Sequence, residues 1–263
     1  MSANSLQTSL PGIFIVIEGV DGSGKTTLAR ALVNALNEET TYLQSLRYKE
    51  AIYVKEPGST PFGDAVRKAF LSSDEPLNGM TEVLAMLACK NELLQKVVRP
   101  AIAEGTIVIG DRYTRTLLAY QGGLRGYSME LLTQLLDLTG TNVSPNMEIF
   151  LEVSPEVSRA RRPVAENAFD TLADTHATKL REGFALAKEV LSGYYTLTID
   201  ASGTMDDVFK DVLSAVKRYL KLHRSFGNSL NNQESISSAY LDSLNPDNDE
   251  VMERLVPHPV TTV

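Results

Sequence analysis

The sequence predicts an α/β fold in which a parallel β-sheet is covered by helices. Short apolar segments of strand length alternate with longer segments whose apolar residues have helical spacing. The short segments are apolar without alternation, which indicates strands buried on both faces, and such strands form parallel sheets with right-handed crossovers. With 263 residues, 43% of them hydrophobic, the chain is long enough for one sizeable core.

Each predicted element has its own signal in the chain. The first strand is the apolar run at 13–19, and the second is stopped by Pro57 and Gly58. Five strands are predicted, at 13–19, 51–57, 106–112, 147–153 and 195–200. Helical spacing predicts helices at 28–38, 62–71, 81–103, 155–162, 172–191 and 205–222.

The composition changes after about residue 222. Eleven of the 24 residues from 225 to 248 are Ser or Asn, and the stretch 224–263 carries six acidic residues against two basic ones. Such a stretch buries too little apolar surface to fold by itself. We therefore expect one folded domain at 12–222 and a polar, disordered tail at 223–263.

Charge and cysteine content exclude several classes of protein. A net charge of −8 argues against a general nucleic-acid-binding surface. Cys89 is the only cysteine, which excludes a disulfide framework and a cysteine-type zinc site. The start of the chain lacks the features of a signal peptide, and no apolar run reaches the ~18 residues of a membrane span. We expect a cytoplasmic protein that binds neither membranes nor nucleic acid.

A phosphate-binding loop follows the first strand. The segment 19–26 reads GVDGSGKT and matches G-x-x-x-x-G-K-[ST], with a predicted strand before it and a helix after it. Glycines let several backbone N–H groups converge on one anion, and the next helix points its positive end there. Lys25 is expected to bind the outer phosphates and Thr26 a magnesium ion. The predicted ATP-binding residues are Gly19, Asp21, Gly22, Ser23, Gly24, Lys25, Thr26 and Thr27.

The end of the third strand helps to distinguish among the classes of protein that have a phosphate loop. A GTPase would need a guanine-reading N-K-x-D motif, which this sequence does not contain. The strand instead ends in Asp111-Arg112-Tyr113. Asp111 is expected to hold the magnesium ion together with Thr26, and Arg112 indicates that a second anion binds nearby.

At this point the sequence resembles the thymidylate kinase family. The similar segments occur in the same order over about residues 12–222. The resemblance therefore implies that these residues form a nucleoside monophosphate kinase domain. They read FIVIEGVDGSGKTT, KEPGSTPFGDAVR, TEVLAMLACK, VIGDRY, AYQGGLRG, FLEVSPEVSRARR and LREGFALAKE. The resemblance implies a five-stranded parallel P-loop fold with a mobile lid. It also implies transfer of the ATP γ-phosphate to a deoxynucleoside monophosphate. The expected reaction converts dTMP to dTDP, and another or a modified pyrimidine deoxynucleoside monophosphate is the alternative acceptor.

The resemblance also assigns roles to single residues. Arg67 and Arg112 match arginines that hold the acceptor phosphate, and Tyr120 matches an aromatic residue under the deoxyribose. The expected acceptor-binding set is Asp21, Glu56, Arg67, Met86, Lys90, Arg112, Thr116, Tyr120 and Gln121. No general base is needed, because the attacking oxygen already belongs to a phosphate and requires only alignment and charge neutralisation.

The lid is expected to provide an arginine for the transferring phosphoryl group. The phosphate loop contains no arginine, and SRARRP at 158–163 resembles the start of the family's lid. Arg159 and Arg162 share a helical face, whereas Arg161 points elsewhere. The expected catalytic residues are Lys25, Arg112, Arg159 and Arg162. The stretch 167–170 reads NAFD and departs from the D-R-x-E that often follows in this family.

A second departure concerns the acceptor base. Family members usually carry a Phe that stacks on thymine and, four residues later, an Arg that binds its O4, where this chain has Met86 and Lys90. Met offers apolar contact without a flat face, and Lys offers a point charge instead of a planar fork. We therefore expect either an acceptor base other than thymine or a site that accepts several bases, and the sequence leaves both alternatives open.

Two other functions stay open from the sequence. A deoxynucleoside kinase also has a phosphate loop and a Glu-Pro pair, and Glu56 would then act as its base. An inactive nucleotide-binding scaffold is the third reading, although Lys25, Thr26, Asp111 and Arg112 are all present. Family resemblance further implies small-molecule substrates and a homodimer formed through the long helix.

Overall fold

The computed structural model describes residues 11–72, 77–162, 171, 173 and 175–227. Contacts divide the chain into one unit that ends at Leu213 and a second that begins at Ser214, and the sheet belongs to the first. The last helix continues past the predicted end at 222 to Gly227. The rest of the predicted tail, 228–263, and the lid stretch 167–170 lie outside the described residues.

The expected five-stranded parallel sheet is confirmed. Its strands are β1 (Ile13–Gly19), β2 (Ala51–Lys55), β3 (Ile107–Asp111), β4 (Met147–Glu152) and β5 (Thr196–Asp200). They pair in parallel in the order β2-β3-β1-β4-β5. The carboxyl ends of all five strands therefore meet at one edge, the edge at which open α/β sheets bind their ligands.

Helices connect the strands and cover the sheet. They are α1 (Lys25–Glu38), α2 (Thr40–Ser45), α3 (Pro61–Leu71), α4 (Gly79–Leu93), α5 (Arg99–Ala103), α6 (Thr114–Leu117), α7 (Met129–Leu138), α8 (Pro155–Arg161), α9 (Ala177–Val190) and α10 (Met205–Gly227). A π-helical turn, Leu94–Val98, joins α4 to α5, so the long helix predicted at 81–103 is continuous but locally wider. A second π-helical segment, Leu118–Leu124, follows α6. The segments α2, α6 with its π-helical extension, and α7 have no counterpart among the predicted elements.

The core explains why the strand segments read as unbroken apolar runs. All seven residues of β1 and all five of β3 are buried, because helices cover both faces of these central strands. On one face, Phe14 and Val16 pack with Leu93, Leu94 and other residues of the α4–α5 region. A second cluster lies among α4, α6, α7 and α9. Burial of this kind stabilises the fold by roughly 1.5–3 kcal/mol for each large side chain.

A buried ion pair ties α6 to β4. Arg115 donates two hydrogen bonds to the carboxylate of Glu148, and Thr196 of β5 donates to the same carboxylate at 2.8 Å. The guanidinium of Arg115 also lies 4.9 Å from the ring centre of Phe150. Both charged side chains are almost fully buried, so each depends on the other for its solvation.

We predict that loss of one partner of this ion pair destabilises the protein, whereas replacement of both partners does not. Arg115→Met should lower the free energy of unfolding by about 3–5 kcal/mol, because it leaves the Glu148 carboxylate buried without a counter-charge. The double variant Arg115→Met, Glu148→Met should be at least as stable as the unsubstituted protein. Urea unfolding of the three proteins checks this, and a single variant as stable as the parent would contradict it.

Candidate functional site

The phosphate loop lies between β1 and α1, as expected. Gly22 and Gly24 have φ angles of 76° and 93°, in the left-handed region that glycine adopts without strain. A Cβ at Gly22 would collide with the backbone of Ser158, so α8 packs directly on the loop. The start of α1 directs its N–H groups and positive dipole end at the loop. Of the predicted ATP-binding residues, Gly19 ends β1, and residues 21–27 lie in the loop and the first turn of α1.

Lys25 is buried at the first position of α1. Its ammonium group donates to the Val20 carbonyl at 2.7 Å and lies 3.7 Å from a carboxylate oxygen of Asp21. Burial and the charge of Arg112 lower the pKa of Lys25 to about 8, although Asp21 acts in the opposite direction. A phosphate group is a stronger hydrogen-bond partner for this ammonium than a carbonyl oxygen. A phosphate bound in the loop would therefore replace the Val20 carbonyl as the partner of Lys25.

Thr26 and Asp111 come together at the carboxyl edge of β1 and β3. The Thr26 hydroxyl donates to Asp111 Oδ2 at 2.6 Å, and Tyr53 donates to the same oxygen at 2.9 Å. Asp111 Oδ1 is buried and has no hydrogen-bond partner within the part of the chain that the structure describes, and the same holds for the Ser23 hydroxyl. Unsatisfied buried oxygens beside a phosphate loop suit a hard cation with oxygen ligands, so these residues fit Mg²⁺.

A cleft opens beside the phosphate loop on the side of β2 and β3. It is lined by Asp21, Glu56, Pro57, Arg67, Phe70, Leu71, Met86, Arg112, Tyr113, Thr116, Leu117, Tyr120 and Gln121. Eight of the nine predicted acceptor-binding residues are in this set. The lining combines the charged groups of Asp21, Arg112 and Arg67 with the apolar side chains of Met86, Leu117 and Phe70, so the cleft suits an anion joined to a less polar body.

Asp21, Arg112 and Tyr120 form a hydrogen-bonded cluster where the loop meets the cleft. Arg112 donates to Asp21 Oδ1, and the Tyr120 hydroxyl donates to Asp21 Oδ2 at 2.8 Å. Burial opposes ionisation of Asp21, but the charges of Arg112 and Lys25 outweigh it and hold the pKa of Asp21 well below its ordinary value. Arg112 has a φ of 70°, a backbone conformation that costs a non-glycine residue roughly 1–3 kcal/mol and is found mostly at functional sites.

Lys90 departs from the sequence expectation. Met86 lines the cleft, but the fully buried Lys90 does not. The Lys90 ammonium lies 3.1 Å from Glu56 Oε2 and 3.0 Å from the ring centre of Tyr113. Burial lowers the pKa of Lys90 to about 8 and raises the pKa of Glu56, while each charge partly offsets the shift of the other. The geometry therefore makes Lys90 a support for Glu56 rather than a group exposed to a ligand.

The segment 113–121 is held in place by a buried carboxylate that sequence reasoning missed. Glu18 accepts hydrogen bonds from the backbone N–H groups of Tyr113 and Thr116 and, at 2.5 Å, from the Thr116 hydroxyl. At the far end of the segment, Glu82 pairs with Arg125 and accepts a hydrogen bond from the Gln121 amide at 3.3 Å. No local pattern indicated these contacts, because they join residues far apart in the chain.

The three arginines at the end of α8 have different surroundings. Arg161 donates to the carbonyl oxygens of residues 201, 202 and 203, which occupies its guanidinium in holding the loop after β5. Arg159 is exposed on the helix. The charge of Arg162 acts on both Asp21 and Tyr120 and lowers their pKa values in opposition to burial. Of the three arginines, Arg162 is therefore the one whose charge acts on the phosphate-loop residue Asp21.

Comparison with known proteins agrees with this geometry. The family model described as thymidylate kinase matches residues 17–212. The curated thymidylate kinase of Symbiobacterium thermophilum is 34% identical over 79% of this chain and 94% of its own length. That of Nitrosospira multiformis is 36% identical over 78% of this chain and 97% of its own length. A crystal structure of thymidylate kinase from Ehrlichia chaffeensis superposes with a TM-score of 0.58 at 26% identity, over 78% of this chain and 99% of that one.

The lowered pKa of Lys25 predicts how nucleotide binding depends on pH. Because the free protein loses the Lys25 proton as the pH rises through about 8, its affinity for a non-hydrolysable ATP analogue should fall between pH 7.5 and 9.5. The loss should level off at about 10- to 100-fold, since a hydrogen bond from a charged donor is worth roughly 1.5–3 kcal/mol. Calorimetric titration checks this. Lys25→Met should bind weakly and show no such step, and an identical step in that variant would assign the titration to another group.

Proposed function

The chain belongs to the thymidylate kinase family, and on this premise we propose that it transfers the γ-phosphate of ATP to dTMP, giving dTDP and ADP. The observation that carries the proposal is that Asp21 links the two parts of the site. It stands inside the phosphate loop and is bonded to Arg112 and Tyr120 of the adjoining cleft. A donor phosphate in the loop and an acceptor phosphate at Arg112 would therefore be neighbours, as direct transfer requires.

On the donor side, the backbone of the loop and Lys25 bind the phosphates of ATP. We assign Thr26 and Asp111 as the residues that would hold Mg²⁺, which, when bound, neutralises phosphate charge. The Asp111 carboxylate accepts two hydrogen bonds, from Thr26 and from Tyr53. These residues align and neutralise the phosphates, and none of them has to remove a proton.

On the acceptor side, Arg112 and Arg67 bind the monophosphate. Arg67 lines the cleft and is only partly buried. Its guanidinium makes a long hydrogen bond, 3.4 Å, to the Pro57 carbonyl, which an anion can replace with a stronger, charge-assisted one. Arg112 exchanges part of its pairing with Asp21 for the anion. The Tyr120 ring lies beside this position, where its bulk disfavours a ribose 2′-hydroxyl. Arg162 supplies positive charge at the transferring group.

The deoxynucleoside kinase alternative is less well supported. It would use Glu56 as a base towards a sugar hydroxyl, and the carboxylate does line the cleft. However, Lys90 holds Glu56 in a buried ion pair, and a nucleoside offers no charge for the two arginines. The inactive scaffold is disfavoured because Lys25, Thr26, Asp111 and Arg112 are present and arranged around one site.

A direct assay tests the proposed function. The purified protein with Mg-ATP should convert dTMP to dTDP and leave thymidine and deoxycytidine unchanged, as followed by chromatography of the products. Assays with dUMP, dCMP and 5-hydroxymethyl-dUMP define the base preference. Lys25→Met should lose at least about 100-fold in kcat, because it removes a charge that acts on the transferring phosphate. Turnover of nucleosides but not of monophosphates would overturn the proposal in favour of its alternative.

We also propose a cytoplasmic homodimer that takes only small-molecule substrates. No helix among the described residues is both long and apolar enough to cross a membrane. Support for the dimer comes from a shallow groove along α4, lined by Phe62, Leu84, Leu87, Ala88, Asn91, Glu92, Leu135 and Thr139. Phe62 and Leu84 are about half exposed, at 47% and 55%. Apolar side chains gathered on one exposed face are typical of an interface.

The dimer is tested by placing a charge in this groove. Leu84→Glu should shift the protein from dimer to monomer in sedimentation equilibrium, since a buried, unpaired carboxylate at an interface costs several kcal/mol. Leu186→Glu is the matched control, because Leu186 is also about half exposed, at 48%, but lies on α9 outside the groove. A dimer unaffected by Leu84→Glu, or a monomeric parent protein, would contradict the proposal.

A further inference from the structure

Asp111 has an asymmetric environment. Its Oδ2 accepts two hydrogen bonds, from Thr26 at 2.6 Å and from the Tyr53 hydroxyl at 2.9 Å. Its Oδ1 is buried and accepts none in the described part of the chain. A carboxylate with both donors on one oxygen is fixed in rotation, and its other oxygen is left available.

We propose that Tyr53 is a positioning residue for the metal site: by holding Asp111 Oδ2, it keeps Oδ1 free as the ligand of the divalent cation. The inference rests on the proposed function, since it concerns the cation that accompanies ATP. Hydrogen bonds to a coordinating carboxylate orient it, and their loss typically reduces metal affinity by 10- to 100-fold. Tyr53 itself touches neither substrate and acts only through Asp111.

Tyr53 is itself held on two sides. It lies in β2, whose parallel pairing with β3 sets Tyr53 opposite Ile109, two residues before Asp111. The guanidinium of Arg30 lies 5.2 Å from the ring centre. Arg30 follows Thr26 by four residues on α1, so the two project from the same face of that helix. One face of α1 thus supplies a donor to Asp111 and a contact that holds the tyrosine.

The chemistry of the phenol suits this role. The Tyr53 hydroxyl donates to Asp111 Oδ2 at 2.9 Å, and it is the one polar group on an otherwise apolar ring. A phenylalanine at this position would keep the ring and its contact with the Arg30 guanidinium, and would remove the hydroxyl with its hydrogen bonds to Asp111 and Arg30. Tyr53→Phe therefore separates positioning of Asp111 from packing of the strand.

The decisive measurement is metal binding rather than turnover. Mn²⁺ can be titrated by electron paramagnetic resonance into protein saturated with a non-hydrolysable ATP analogue. We expect Tyr53→Phe to raise the Mn²⁺ dissociation constant by about 10-fold. The concentration of Mg²⁺ that gives half-maximal activity should rise by a similar factor, while kcat at saturating Mg²⁺ stays within about twofold. Binding of the analogue in the presence of EDTA should not change.

Two controls exclude a merely structural effect. Tyr42→Phe removes a phenol hydroxyl from α2, away from Asp111, and should leave Mn²⁺ binding unchanged. In an Asp111→Asn background, Tyr53→Phe should add little further loss, because the two residues act through one carboxylate. Equal Mn²⁺ affinity in parent and Tyr53→Phe proteins would overturn the proposal, and so would an equal loss of metal-free nucleotide binding.

The same titration keeps the two proposals separate. If the parent protein bound Mn²⁺ with the analogue but failed to phosphorylate dTMP, the proposed function would fall. A Tyr53→Phe effect on Mn²⁺ would still support the positioning role.

Discussion

The parallel register between β1 and β3 is the constraint on which the whole site depends. It places Ile17 opposite Asp111, and the N–H of Arg112 donates to the Ile17 carbonyl at 3.0 Å. The phosphate loop begins two residues beyond Ile17, so the register brings Thr26, Asp111 and Arg112 together at one edge. A shift by one residue would turn Asp111 to the other face of the sheet, and a shift by two would move it by roughly 6–7 Å. The apolar side chains of both strands, buried on both faces, resist either shift.

At this edge, the attraction between opposite charges offsets the cost of burying them. The protein is acidic as a whole, at −8, yet Lys25 and Arg112 converge around the single carboxylate of Asp21. Asp111 also acts on both cations, and Glu18 acts on Lys25. A phosphate group nevertheless offers these cations more charge and better hydrogen-bond geometry than Asp21 does. Net charge therefore describes the surface of this molecule and says little about its site.

Much of this edge was predictable from the sequence because its parts are local. The phosphate loop is one continuous motif, and a strand that ends in Asp-Arg must deliver both residues to the carboxyl edge of a parallel sheet. What could not be predicted are contacts between distant positions. Glu18 and Tyr113 are 95 residues apart, and nothing near either one signals the other. Glu18 stands at the end of an apolar run, where its charge gave no sign that the residue would be fully buried. The helical segment 114–124 was missed for a similar reason, since its two glycines, Gly122 and Gly123, conceal the helical pattern.

Lys90 shows where helical periodicity reaches its limit. The spacing of Met86 and Lys90 correctly places both on one face of α4, but a shared face does not set how far each side chain extends. The long, flexible lysine reaches the Glu56 carboxylate and the Tyr113 ring, both within about 3 Å, and is buried there. On the proposed function, the base of the acceptor then meets Met86, Leu117 and the Gln121 amide rather than a charge. Apolar contact discriminates weakly between bases of similar size, since one methylene is worth only about 1–3 kcal/mol. On the same proposal, selection of the base depends mainly on the shape of the cleft and on its polar lining groups, among them the Gln121 amide, which donates to Glu82 at 3.3 Å.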